Sequence, residues 1–135
     1  MIKPLIVMNK PITRKAHGFT DYSYIPLALT SPILFDFEDE EKARLVSKIQ
    51  AGSILISSLF TRAEWGLFKV MPYKTHLLLD VATGAFSVAA PWLFGFSKNR
   101  KARNAFLLMG MFGISAGLLS KPEEMTTIDL IKNKI

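Results

Sequence analysis

Most of this chain is one segment written twice. Sliding the sequence by 59 residues places Lys15, His17, Asp21, Pro32, Leu34, Phe35, Phe37, Lys42, Ala43, Arg44 and Leu59 on Lys74, His76, Asp80, Pro91, Leu93, Phe94, Phe96, Lys101, Ala102, Arg103 and Leu118. That is 11 identities over 48 ungapped positions, against about three expected from average residue usage. A chain so built must give equivalent residues equivalent surroundings, so Lys-x-His-x-x-x-Asp becomes a duplicated constellation rather than an isolated motif. The copies, about 15–62 and 74–121, leave room for a single domain over residues 1–135 with a tail at 122–135.

Charge is sharply segregated within each copy. Residues 81–97 and 104–120 carry none, and residues 16–35 carry only Asp21 beside His17. The run at 104–120 is apolar on every face, as a helix in lipid is, and a chain of this size has no interior large enough to hide four such helices. Each run approaches the roughly 17 to 25 residues that cross a bilayer. The sequence therefore predicts an all-α, four-transmembrane-helix bundle, with helices at about 16–37, 45–61, 75–97 and 104–120. In the second helix Lys48 must snorkel from the end. A water-soluble four-helix bundle is the alternative. The run Leu5-Ile-Val-Met8 is too short for a cleavable signal and is flanked by Pro4 and Pro11, so the first membrane helix is expected to act as the targeting signal.

The net charge of +6 sits at the helix ends. Membrane lipid headgroups are the expected partner there, and nucleic acid is not. Ten Lys and Arg fall on the side of the termini (3, 10, 14, 15, 62, 69, 74, 121, 132, 134) and seven opposite (42, 44, 48, 98, 100, 101, 103). That excess places the termini in the cytoplasm of a multi-pass inner-membrane protein. The absence of cysteine removes disulfides, thiolate metal sites and cysteine nucleophiles together.

Two crossings per copy bring the second copy in from the same side as the first. The copies are then related by a pseudo-twofold axis along the membrane normal, with His17 level with His76 and Asp21 level with Asp80. Pro32 and Pro91, about 22 Å further along their helices, bend or end them near the opposite surface. Small residues recur in the later helices: Ser53 and Ser57, residues 84–90, and Gly113-x-x-x-Gly117. They allow close helix approach and, through the glycine-bearing faces, a homo-oligomer. Residues 63–73, with Trp65 and Pro72, read as a surface connector. Met125, Ile128, Ile131 and Ile135 lie at helical spacing in the tail.

A two-helix unit that opens on His with an acid one turn later, and closes on a proline-centred Ser-Pro-Trp, resembles the SPW-repeat family of small bacterial membrane proteins. The resemblance spans about residues 15–121. The first copy reads Ser31-Pro32-Ile33 and the second Ala90-Pro91-Trp92, so neither holds all three letters. The resemblance implies a membrane protein and carries over no established activity.

Ionisable side chains within a membrane are costly and face the protein interior, which makes His17, Asp21, His76 and Asp80 the candidate site. Residues four apart share a helix face, so each Asp is expected to accept from its own His, leaving the other ring nitrogen free. Three readings stay open. The four residues form a polar cluster organising a non-enzymatic bundle; they ligate a divalent metal, or the two histidines hold a haem; or they serve a small proton or ion conductor. Lys15 and Lys74 read as interface anchors, and Tyr22 and Tyr24 lack counterparts in the second copy. No phosphate loop, Ser-His-Asp order or His-Glu-x-x-His helix appears, so the sequence does not support an enzyme.

Overall fold

A computed structural model describes residues 9–133. Lys3, the Leu5-Ile-Val-Met8 run, Lys134 and Ile135 lie outside the described residues. Among those described the chain is all-helical: α1 (Arg14–Leu34), α2 (Glu41–Phe60), α3 (Tyr73–Leu93), α4 (Arg100–Leu119) and the short α5 (Thr127–Lys132). The bounds of α3 follow those of α1 by 59 residues, and those of α4 follow α2 by the same interval.

The helix boundaries correct the expected ones at both ends. α2 and α4 begin about a turn earlier, taking in Lys42 to Arg44 and Lys101 to Arg103. Charges are tolerated in a first turn that projects into water, and the Asn99 side chain caps α4 by accepting from the Ala102 amide (3.1 Å). α1 and α3 stop earlier, two residues after Pro32 and Pro91. The matched Leu-Phe-x-Phe is the stop itself: Phe37 and Phe96 donate their amides back to the carbonyls of Pro32 and Pro91, both at 2.8 Å. This closure needs a left-handed residue just before the second Phe. Gly95 (φ 76°) supplies it in one place and Asp36 (φ 55°) in the other. Replacing Asp36 by glycine is expected to stabilise the fold by about 0.5–1 kcal/mol, since the exposed Asp36–Lys101 ion pair it removes contributes little. Denaturant unfolding of the variant in detergent checks this.

α1 packs chiefly on α2 and α3 on α4, with lighter α2–α3 and α1–α4 contacts, so α1 and α3 face each other across the centre of a ring of four. The α3–α4 crossing is backbone to backbone. A Cβ built at Gly84 would lie 2.7 Å from the Gly110 carbonyl oxygen, and one at Gly110 would lie 2.6 Å from that of Gly84. Gly117 packs the same way on Leu77 and Val81. These glycines are thus used inside the chain, as the close helix approach expected of small residues. The corresponding positions in α1 and α2, Ile25 and Ala51, carry side chains and hold that pair less closely.

The core toward the α1–α2 and α3–α4 turns is built from Ala28, Ala43, Ala90, Ala102, Phe37, Phe96 and Phe106. Large apolar side chains point outward on every long helix, among them Phe19, Ile33, Leu45, Ile56, Leu78 and Leu108. Two helices, α3 and α4, are long and apolar enough to cross a membrane by length and composition.

At the other end the connectors close over the helix starts. Thr61, ending α2, bridges Met71 ahead of α3; Ser120, ending α4, bridges Ile12 ahead of α1. The connector after α2 is pinned by Trp65, which lies on Gly18 and donates from Nε1 to the Lys15 carbonyl (3.0 Å). Past Ser120, Glu124 accepts from the Tyr73 and Lys74 amides (both 2.8 Å) and so caps α3, which has no cap of its own. The tail pattern becomes α5, with a Thr126–Asp129 capping box; the Thr126 amide and hydroxyl hold the Asp129 carboxyl below its usual range. Met125 is buried ahead of α5, while Ile128 and Ile131 are exposed.

Candidate functional site

His17 and Asp21 stand one turn apart on the inward face of α1, His76 and Asp80 on that of α3. Because those helices oppose each other, the four side chains meet on the central line. The imidazoles are 1% and 2% exposed. Their Nε2 atoms lie 3.3 Å apart with the rings nearly perpendicular (85°).

The short links run between the halves. His17 Nε2 lies 2.7 Å from Asp80 Oδ2, and His76 Nε2 lies 2.7 Å from Asp21 Oδ2. The links within one helix, His17–Asp21 and His76–Asp80, are each 3.1 Å. The spacing-based expectation of a dominant bond within each helix is thus corrected: the carboxylate on the opposing helix is nearer. The expectation of a free second nitrogen is corrected too. His17 Nδ1 meets Ser120 Oγ at 2.7 Å, and His76 Nδ1 meets Thr61 Oγ1 at 2.8 Å.

Thr61 and Ser120 are the members of the site that the sequence reading did not single out. They are 59 residues apart, as the histidines are, and both carry a hydroxyl; a search for identical letters passes over Thr against Ser. Each sits at the C-cap of its helix and each donates to the carbonyl one turn back, Thr61 to Ser57 and Ser120 to Ala116, both at 2.5 Å. Tyr73 is also buried here, stacked on His76 (centroids 6.2 Å apart, 12°) and edge-on to His17 (5.8 Å, 83°). At the mouth Arg14 makes a two-pronged bond to Glu64 (2.8 and 3.0 Å) and donates to the Glu123 carbonyl.

Lys15 and Lys74 stay outside the cluster, exposed on the surface. Tyr22 donates to the Trp65 carbonyl (2.7 Å), fixing the connector, and Tyr24 is buried toward the core. A cavity of about 20 Å³, enough for about one water, lies beside Asp21 and Asp80 and is walled by Tyr24, Gly84 and Phe112. The geometry corrects the haem expectation. Two axial imidazoles must stand on opposite faces of a porphyrin, but here the space between the Nε2 atoms is flanked by two carboxylates and leaves no plane for a macrocycle.

Residues 15–120, which hold this cluster and all four long helices except Arg14, match the model of the SPW repeat domain. The chain belongs to the SPW repeat domain family. No curated protein and no solved structure matches it. The SPW repeat family and two apolar helices together point to a membrane protein of unknown activity.

The SPW positions have distinct tasks. The first, Ser31 or Ala90, is fully buried where only a small residue fits. The second, Pro32 or Pro91, is buried one turn before the helix stop and offers its carbonyl to the Phe that closes it. The third points out of the bundle, Ile33 at 67% and Trp92 at 57% exposure. An outward position accepts Ile in place of Trp without disturbing the core, and an inward one accepts Ala for Ser because Ser31 satisfies its hydroxyl on its own helix, at the Ala28 carbonyl.

Proposed function

We propose that this SPW-repeat protein is a non-enzymatic, multi-pass protein of the inner membrane. In this reading it is one domain of two tandem two-helix repeats, about 15–62 and 74–121, around a pseudo-twofold axis along the membrane normal. Its His/Asp cluster ties the repeats together at one depth. The observation that carries the reading is the crossed pairing: each imidazole lies closer to the carboxylate of the other half, 2.7 Å against 3.1 Å. A buried group whose nearest partner sits across the axis resists any slip of one half along the other.

The distribution of side chains supports immersion in lipid. Small and polar residues, with Phe37, Phe96 and Phe106 toward one end, fill the centre while many Leu, Ile and Phe side chains face outward on all four long helices, as lipid-facing side chains do. The tie is favoured over a conductor because Ala28, Ala90, Phe37, Phe96 and Phe106 close the centre between the cluster and the far end.

The chain has no native cysteine, so single cysteines report sidedness directly. With cytoplasmic termini, Lys98→Cys is expected to react with an impermeant maleimide in spheroplasts, and Lys15→Cys only in inverted inner-membrane vesicles. Labelling of both from one side would defeat the four crossings. Recovery of the protein in the soluble fraction would defeat the membrane reading as a whole.

A further inference from the structure

The hydrogen bonds fix one proton on each histidine of the cluster. Thr61 and Ser120 each have one hydroxyl proton, and each gives it to a backbone carbonyl, of Ser57 and Ala116. With that proton spent, each hydroxyl accepts, and the donor is the Nδ1–H of His76 and of His17. A neutral imidazole protonated at Nδ1 carries its lone pair on Nε2. With Nδ1 donating outward, each Nε2 faces the centre, where it either gives a proton to a carboxylate oxygen at 2.7 Å or, once that proton is released, offers its lone pair to a cation. Two ring nitrogens and two carboxylate oxygens gathered in a buried space need positive charge among them, which protons on Nε2 supply in the metal-free protein and one cation can supply in their place.

We propose that the cluster binds one divalent cation of the zinc class through His17 Nε2, His76 Nε2, Asp21 Oδ2 and Asp80 Oδ2. These atoms all lie within 4.8 Å of one another. A regular tetrahedron with zinc bonds of about 2.0–2.1 Å has edges of about 3.4 Å. The observed nitrogen–nitrogen edge is 3.3 Å and the four nitrogen–oxygen edges are 2.7 and 3.1 Å, so these five of the six edges need modest expansion to seat the ion. The sixth, between the carboxylates, falls within the 4.8 Å span of the ligand atoms. Two carboxylates and two neutral imidazoles sum to a charge of minus two, which the cation cancels. Two nitrogens and two oxygens suit zinc, whereas calcium takes about six to eight oxygens and magnesium an octahedron of them. Thr61 and Ser120 act as positioning residues, since a donor bond from the remote ring nitrogen orients a ligating histidine. The inference deepens the proposed tie and rests on it: the cation becomes the bond between the halves.

The test uses the full chain, purified in mild detergent through a histidine-free tag and without chelator. Mass spectrometry is expected to find about one zinc per chain, removed by dialysis against a chelator and restored by zinc chloride. Cobalt in its place should give the intense visible bands of a four-coordinate ion. The Asp21→Asn/Asp80→Asn pair keeps size and removes charge, and should weaken zinc binding by more than about 100-fold; Thr61→Val should weaken it by about 10–100-fold and move the cobalt bands, with Thr61→Ser restoring both. Chelator-treated wild-type protein that takes up neither zinc nor cobalt overturns the proposal without recourse to any variant, as does unchanged uptake by the double Asn variant. Failure of the underlying tie looks different: zinc binds the wild-type protein, yet with chelator present the His17→Ala change leaves the unfolding midpoint unmoved.

Discussion

Substituting His17 by alanine is expected to destabilise the bundle by about 3–5 kcal/mol, and His76→Ala by the same amount within error, because each change strands a buried carboxylate. Asp80 loses its 2.7 Å partner in the first variant and Asp21 in the second. The double variant should cost clearly less than the sum, since the four groups form one network. Coupling between His17 and Asp80 should exceed that between His17 and Asp21, following 2.7 Å against 3.1 Å. Denaturant unfolding in detergent with chelator present measures all of this with any bound cation removed. A response confined to one histidine would mean that the halves are not held by a shared centre.

The second large effect is expected at the α3–α4 crossing. Gly84→Ala should lose about 1–3 kcal/mol and Gly84→Leu more, because the new Cβ meets backbone on the far helix: the Gly110 oxygen at 2.7 Å and the Ile114 nitrogen at 2.8 Å. Neither is the movable end of a flexible side chain, so relief requires the helices to part. Parting them shifts Asp80, one turn before Gly84, away from the α1 residues it meets. Gly52 is the control. A Cβ there has no neighbour within 4 Å, and Gly52→Ala should leave the midpoint unchanged or slightly raised. The same unfolding measurement reads both, and equal effects at the two sites would refute the backbone crossing.

The 59-residue offset made the four cluster residues legible because the letters match: His17 with His76, Asp21 with Asp80. The same device hid their supports, since Thr61 with Ser120 and Ile12 with Met71 match in chemistry and position but not in letter. A comparison weighted by hydrogen-bonding capacity would have found the hydroxyls. The crossed pairing was out of reach for a different reason. A spacing of four speaks only of one helix, whereas the closer partner is set by how α1 and α3 oppose each other. Hydropathy misplaced the helix starts because it counts Lys42, Arg44, Lys101 and Arg103 against a membrane run, although a first turn in water carries such charges freely. The glycine pattern was visible, but not that α3 and α4 use it on each other.

The bridges at the mouth of the site bear on how the chain is threaded. Ile12 pairs with Ser120 as Met71 pairs with Thr61, so one junction is crossed by a covalent connector and its counterpart only by hydrogen bonds. Either junction then serves as well as the other for the break in the polymer. A circular permutant, opened between the halves and sealed across Ile12 and Ser120, would keep every member of the central cluster on its own helix.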